Sequence, residues 1–168
     1  MREEDDIRLM RKPAIKVGPD GHVDRLKARL VAKGYTQVYG LDYCDTFSPV
    51  AKMTTIRLFF AMAAIRHWLL HQLDIKNAFL HGDLEEEVYI EQPPGFVAQG
   101  EYGMVCKLHR SLYGLKQSPR AWFGKFSSIV QKSGSFTNHS VFYKHTSPGK
   151  CVNLIIYVND IIIIGNDI

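Results

Sequence analysis

The order of elements predicts an α+β fold for this chain, on three observations. Two short β-branched runs, Leu154-Ile155-Ile156 and Ile161-Ile162-Ile163-Ile164, flank the polar pair Asn159-Asp160 and read as an antiparallel hairpin. Ile56, Phe59, Phe60 and Ala63 recur at i, i+3, i+4 and i+7, the apolar stripe of a core-facing helix. Strand-like and helix-like segments are intermixed, without the regular alternation of a parallel sheet. At 168 residues with 46% hydrophobic content, the chain fits one domain or part of one and can bury a real core.

Residues 1–14 begin Met-Arg-Glu-Glu-Asp-Asp, charged and without apolar period, and are expected to be a poorly ordered lead-in. Gly18-Pro19-Asp20-Gly21 is a strong turn signal, so Val17–Val23 with Arg25–Ala32 reads as a hairpin. Thr54 or Thr55 caps the helix that carries the Ile56 stripe. Leu69–Ile75 reads as a strand ending at Asp74, and Glu87–Glu91 as a short strand closed by Pro93-Pro94-Gly95. A second helix opens at Ser118 as N-cap with Pro119 at the first helical position. It shows an apolar face of Trp122, Phe126, Ile129 and Val130 and stops at Gly134. Val141–Tyr143 and the final hairpin close the chain. There is no repeat and no low-complexity tract.

A net charge of +4 permits a polyanionic partner without demanding one. Arg25, Lys27, Arg29 and Lys33 cluster apart from the acidic stretch 83–87, which suits either a phosphate-contacting face or a solvated strand edge. Cys44, Cys106 and Cys151 lack zinc-ligand spacing, and an odd count argues against a disulfide framework. A reducing intracellular compartment, cytoplasmic or nuclear, is expected. No apolar signal core opens the chain, and no apolar run approaches a membrane span. Among the histidines no His-Glu-x-x-His spacing occurs, and His71 is expected to be a packed strand residue. Gly165 is alone and makes no phosphate loop.

Tyr157-Val158-Asn159-Asp160 carries the chemistry. Stiff strands would hold a carboxylate out of the sheet toward a metal ion, although Asn-Asp also suits an ordinary turn. Asp74, at the end of another strand, is the candidate second carboxylate, although on its own it reads as a capping or turn aspartate.

Several motifs stand in order: Lys27-Ala28-Arg29-Leu30-Val31-Ala32-Lys33-Gly34-Tyr35-Thr36-Gln37, Thr46-Phe47-Ser48-Pro49-Val50, Leu73-Asp74-Ile75-Lys76-Asn77-Ala78-Phe79-Leu80, Tyr89–Phe96, and Ser111-Leu112-Tyr113-Gly114-Leu115-Lys116-Gln117-Ser118-Pro119-Arg120-Ala121-Trp122. With the hairpin they closely resemble the reverse transcriptase of Ty1/copia-type LTR retrotransposons, from about Val17 to Asp167. The resemblance implies the fingers and partial palm of that polymerase over residues 15–168, with an antiparallel palm sheet packed on helices. It implies a fragment, with the thumb and ribonuclease H domain absent. The aromatic-rich strand that the family carries near residues 1–14 is missing.

By the same resemblance Asp74 is the first catalytic aspartate, Asn159 occupies the second position and Asp160 the third. Asp74 and Asp160 would hold Mg²⁺, of which the family uses two ions about 4 Å apart. The family carries Tyr-Val-Asp-Asp at the hairpin, so Asn159 is a departure. A carboxamide offers one neutral oxygen where a carboxylate offers charge and two, and the expected penalty is on the order of 10² in rate. Phe79 would exclude a ribose 2′-hydroxyl. Ile75, Tyr113, Gly114 and Lys116 would line the nucleotide, with Lys116 meeting phosphate, and either Lys27 or Arg29 would grip the triphosphate. The implied partners are an RNA or DNA primer–template and deoxynucleoside triphosphates, with no membrane; oligomeric state is left open. A rival reading is a non-catalytic retroelement remnant that at most binds nucleic acid.

Overall fold

The computed structural model describes residues 9–92 and 103–167, the side chains of residues 9–14, 16 and 24–28 excepted. In chain order the elements are β1 (Leu9–Val17), β2 (Val23–Ala32), α1 (Met53–Arg66), β3 (Leu69–Asp74), β4 (Asp83–Glu91), β5 (Val105–Arg110), α2 (Ser118–Lys132), β6 (Phe136–Asn138), β7 (Val141–Ser147), β8 (Lys150–Tyr157) and β9 (Asp160–Gly165). Two helices and antiparallel strand pairs make the fold α+β, as expected. The chain forms two compact units, residues 1–46 with 79–121 and residues 47–78 with 122–168. Among the described residues no helix is long and apolar enough to cross a membrane.

In the first unit the chain reverses at the predicted turn, where the Gly21 N–H donates to the Gly18 carbonyl at 3.0 Å and the Asp20 side chain accepts from the His22 N–H at 3.2 Å. The first strand of this hairpin starts at Leu9, which pairs with Ala32, so residues 9–14 of the expected lead-in take part in pairing; residues 1–8 lie outside the described residues. β4 starts at Asp83, four residues before the strand that the sequence suggested. Its alternation explains the extension: Val88 and Ile90 are buried with Ala32 and Leu115, while Glu85, Glu87 and Tyr89 point to solvent. The expected closure at Pro93-Pro94-Gly95 lies outside the described residues.

The second unit is a five-stranded sheet in the order β3-β9-β8-β7-β6. Ile155 pairs with Ile162, and both pack with Ile164, Ala51 and the α1 residues Ile56 and Ala63. Leu154, Ile163 and Phe142 share the other face by register, where Phe123 and Phe126 of α2 lie 6.2 and 5.7 Å from the Phe142 ring. The isoleucine runs are therefore buried on both faces, which is why they lack polar alternation. His71 is exposed rather than packed, because β3 is the edge strand and every residue in it is exposed.

Several local expectations are corrected. Lys52 stands at the N-cap of α1 without a side-chain cap, and Thr54 and Thr55 lie inside the first turn. Phe60 and Ile129 of the predicted apolar faces are exposed. The first helical bond of α2 runs from the Ala121 N–H to the Gln117 carbonyl, which moves the cap to Gln117. The Ser118 hydroxyl instead donates to the Leu112 carbonyl at 2.6 Å, a partner that local sequence does not reveal. Gly134 ends α2 as expected, with φ +82° and its N–H on the Gln131 carbonyl.

Candidate active site

The carboxylates are set by register in the second unit. β3 and β9 pair so that Asp74 stands directly opposite Asp160. Opposed residues present side chains on one face with Cβ atoms roughly 4.5–5.5 Å apart. Asp74 is exposed, and Asp160 is half-buried with Oδ1 accepting from Gln72 Nε2 at 3.1 Å. One step further, the Ile75 N–H donates to the Asn159 carbonyl at 3.0 Å, so the ladder continues past Asp74 into the turn.

The tip of the β8–β9 hairpin is Val158-Asn159, since Tyr157 pairs with Asp160. Asp160 is thus the first residue of a strand, and Asn159 alone of the polar pair sits on the turn. Val158 has φ +55°, a value rare for a β-branched residue and costly by about 1–3 kcal/mol. Flanking strands impose it because a two-residue loop between tightly paired strands needs a positive φ. Asn159 Oδ1 is buried with no hydrogen-bond partner. An orphaned buried acceptor in the residue before Asp160 suits a hard cation, which takes carboxylate and amide oxygens. The charge count is short, however: the described residues hold no group of three or more His, Cys, Asp or Glu that could bind a metal.

The expected nucleotide residues fall mostly in the first unit, and the structure gathers three of them. The Arg29 guanidinium lies over the Tyr113 ring, 5.6 Å from its centroid. Phe79 meets the same ring edge-on at 5.4 Å. Phe79 belongs to a short 3₁₀ turn, Ala78–His81, whose carbonyl at Phe79 accepts from the Ser111 hydroxyl. Gly114 has φ +94°, and a Cβ there would stand 2.1 Å from the Ala32 carbonyl oxygen. That close approach lets the Ala32 N–H donate to the Tyr113 carbonyl at 2.7 Å, fixing Tyr113 against β2. Lys27 lies two residues from Arg29 on β2, and its side chain is outside the described residues. Ile75 is half-buried and belongs to the second unit.

Sequence reasoning missed several polar residues here. Arg120 bonds Glu85 at 2.8 Å and Glu86 at 3.2 Å, with Asp45 at 3.8 Å. Burial works to lower its pKa, but the hydrogen bond to Glu85 and the surrounding carboxylates outweigh this and raise it. Gln37 and Gln117, both buried, bond each other at 2.9 Å across 80 residues of sequence. The sole signal for them was a polar residue inside each quoted motif.

The family model described as reverse transcriptase (RNA-dependent DNA polymerase) matches residues 15–168. The chain is 47% identical over 156 residues to the Retrovirus-related Pol polyprotein from transposon TNT 1-94 of Nicotiana tabacum, covering 91% of the chain and 12% of that polyprotein. It is 47% identical over 155 residues to the corresponding polyprotein from transposon RE1 of Arabidopsis thaliana, covering 90% and 10%. To the Transposon Ty1-H Gag-Pol polyprotein of Saccharomyces cerevisiae it is 30% identical over 150 residues, covering 84% and 8%. The chain therefore spans about a tenth of the length of these relatives. No solved structure matches it.

Proposed function

This chain belongs to the reverse transcriptase (RNA-dependent DNA polymerase) family, as a domain of copia-type retrotransposon Pol polyproteins, and from that premise we propose that it is a fingers and palm segment which binds primer–template and deoxynucleoside triphosphate but transfers nucleotides poorly. The observation that carries the reading is the Asp74–Asp160 register pair beside a hairpin tip that bears Asn159. Asp74 and Asp160 would hold Mg²⁺ with the Asn159 amide oxygen as a neutral third donor. When bound, divalent ions activate the primer hydroxyl and offset charge on the leaving pyrophosphate.

The protein's own contribution is placement. Phe79, fixed by Ser111 and Tyr113, is suited to exclude a 2′-hydroxyl by size. Arg29, stacked on Tyr113, offers a planar cation to phosphate and carries the triphosphate role in preference to Lys27. Gly114 allows backbone close to the ligand, and Ile75 continues the strand beyond the first carboxylate. Asn159 removes one negative charge from a set that must face four positive ones, and a loss of roughly 10²-fold in rate follows.

The second reading, a remnant that binds nucleic acid without catalysis, is favoured by that same asparagine. Primer extension in Mg²⁺ by the chain, beside its Asn159→Asp variant and beside a complete copia-type polymerase carrying either residue, separates the two. We expect binding with little extension from the chain, and a difference of about 10²-fold or more in the complete polymerase. Robust extension by the unmodified chain would overturn the impairment; no affinity for primer–template would overturn both readings.

A further inference from the structure

Lys116 does not stand free to meet a phosphate. Its ammonium donates to the Gln37 carbonyl at 3.1 Å and to the Tyr43 hydroxyl at 3.2 Å, and lies 4.7 Å from the centroid of the Tyr43 ring. Its backbone N–H donates to Gln37 Oε1 at 2.8 Å. Gln37 Nε2 donates to Gln117 Oε1 at 2.9 Å, and Gln117 Nε2 donates to the Asp42 carbonyl at 3.0 Å. Gln37 and Gln117 are 4% and 1% exposed. Each amide thus both donates and accepts inside the first unit, and buried networks satisfied in this way fix one arrangement because partial satisfaction is costly.

The network brackets the nucleotide residues. It joins the segment after β2 to the segment between β5 and α2, on either side of the contact between Gly34 and Gly114. There a Cβ on Gly34 would come within 2.0 Å of the Gly114 carbonyl oxygen. Tyr113 precedes Gly114, and its ring is the common neighbour of Arg29 and Phe79.

We propose that Gln37 and Gln117 are positioning residues that set the Tyr113 ring, and through it the Phe79 gate, and that Lys116 serves as the brace of this network and not as a phosphate contact. The proposal rests on the nucleotide role assigned to Phe79 and Tyr113 above. The test uses the full chain, a Lys116→Met variant and a Gln37→Met/Gln117→Met double variant, which keeps side-chain volume so that folding survives. Three quantities are measured: the thermal midpoint, the salt dependence of affinity for a primer–template duplex, and the ratio of affinities for dATP over ATP in Mg²⁺.

For Lys116→Met we expect a midpoint lowered by about 2–6 °C and an unchanged salt slope. A slope smaller by about 0.9 at unchanged midpoint would instead reveal a lost phosphate contact and overturn the brace. For the double variant we expect the dATP/ATP ratio to fall at least about threefold, since size selection depends on where the gate stands. Mere destabilisation would weaken both nucleotides alike, so an unchanged ratio overturns the positioning role. If the unmodified chain binds neither nucleotide, the functional reading falls and the positioning role with it, while the midpoint of Lys116→Met still decides the brace.

Discussion

A single oxygen tells most about the site. Asn159 Oδ1 is buried without a partner, a state that costs about 1–3 kcal/mol unless something occupies it. Replacing the amide with a carboxylate adds a charge at a buried position in the residue before Asp160. We therefore expect Asn159→Asp to lower the thermal midpoint in chelator, by an amount worth roughly 1–3 kcal/mol. The loss should reverse on adding Mg²⁺ or Mn²⁺, because a ligand that binds only the folded form stabilises it. Equal midpoints with and without divalent ion would show that the three residues do not converge on a cation. Gly114→Ala is a sharper perturbation: φ +94° and a carbonyl oxygen 2.1 Å from the new Cβ leave it no relaxed position. A destabilisation of roughly 3 kcal/mol or more is expected by urea titration, and a change under about 1 kcal/mol would mean that the 32–34 and 113–114 backbones separate easily.

At the scale of elements, what was readable depended on the range of the determining contacts. The final hairpin, the Gly18–Gly21 turn and the Gly134 stop are local chemistry and stood where the sequence put them. The apposition of Asp74 and Asp160 followed from motif order. The cap of α2 did not, because the Ser118 hydroxyl is drawn to the Leu112 carbonyl by the turn preceding the helix. The Gln37–Gln117 bond spans 80 residues and leaves no periodic trace. Nor did any pattern announce how the β8–β9 pair is fastened at its open end, where Asp167 receives hydrogen bonds from Lys150, at 2.7 Å, and from Thr146. Chiefly the Lys150 bond, then that of Thr146, holds the Asp167 carboxyl below its usual value. A depressed carboxyl stabilises the fold above the unfolded value near 3.9 and loses that effect as pH falls through the folded one. The midpoint of Asp167→Asn should thus lie below that of the unmodified chain at neutral pH, with the gap closing below about pH 4. A gap that persists undiminished to pH 2 would rule out this carboxylate as its source.

For the whole molecule, the decisive fact is that the described residues form two cores and not one. Ala32, Val88, Ile90 and Leu115 make the first, and Ile155, Ile162, Ile164 and α1 make the second. Ile155→Ala, at a site with no exposure, should cost about 2–5 kcal/mol. In that variant hydrogen exchange is expected to speed up for amides in residues 47–78 and 122–167 more than for those in β4 and β5. Uniform loss of protection would mean that the two units open as one.

The edge position of β3 has a consequence for birth of the chain. Gln72 bonds Asp160 across 88 residues, so a ribosome adding about 5–20 residues each second takes roughly 4–18 s between making β3 and making its partner. Through that interval Leu69, Leu70 and Leu73, half-exposed even in the finished protein, have no strand to pair with. The nascent polypeptide therefore offers a holdase three unpaired leucines at the very segment that carries Asp74.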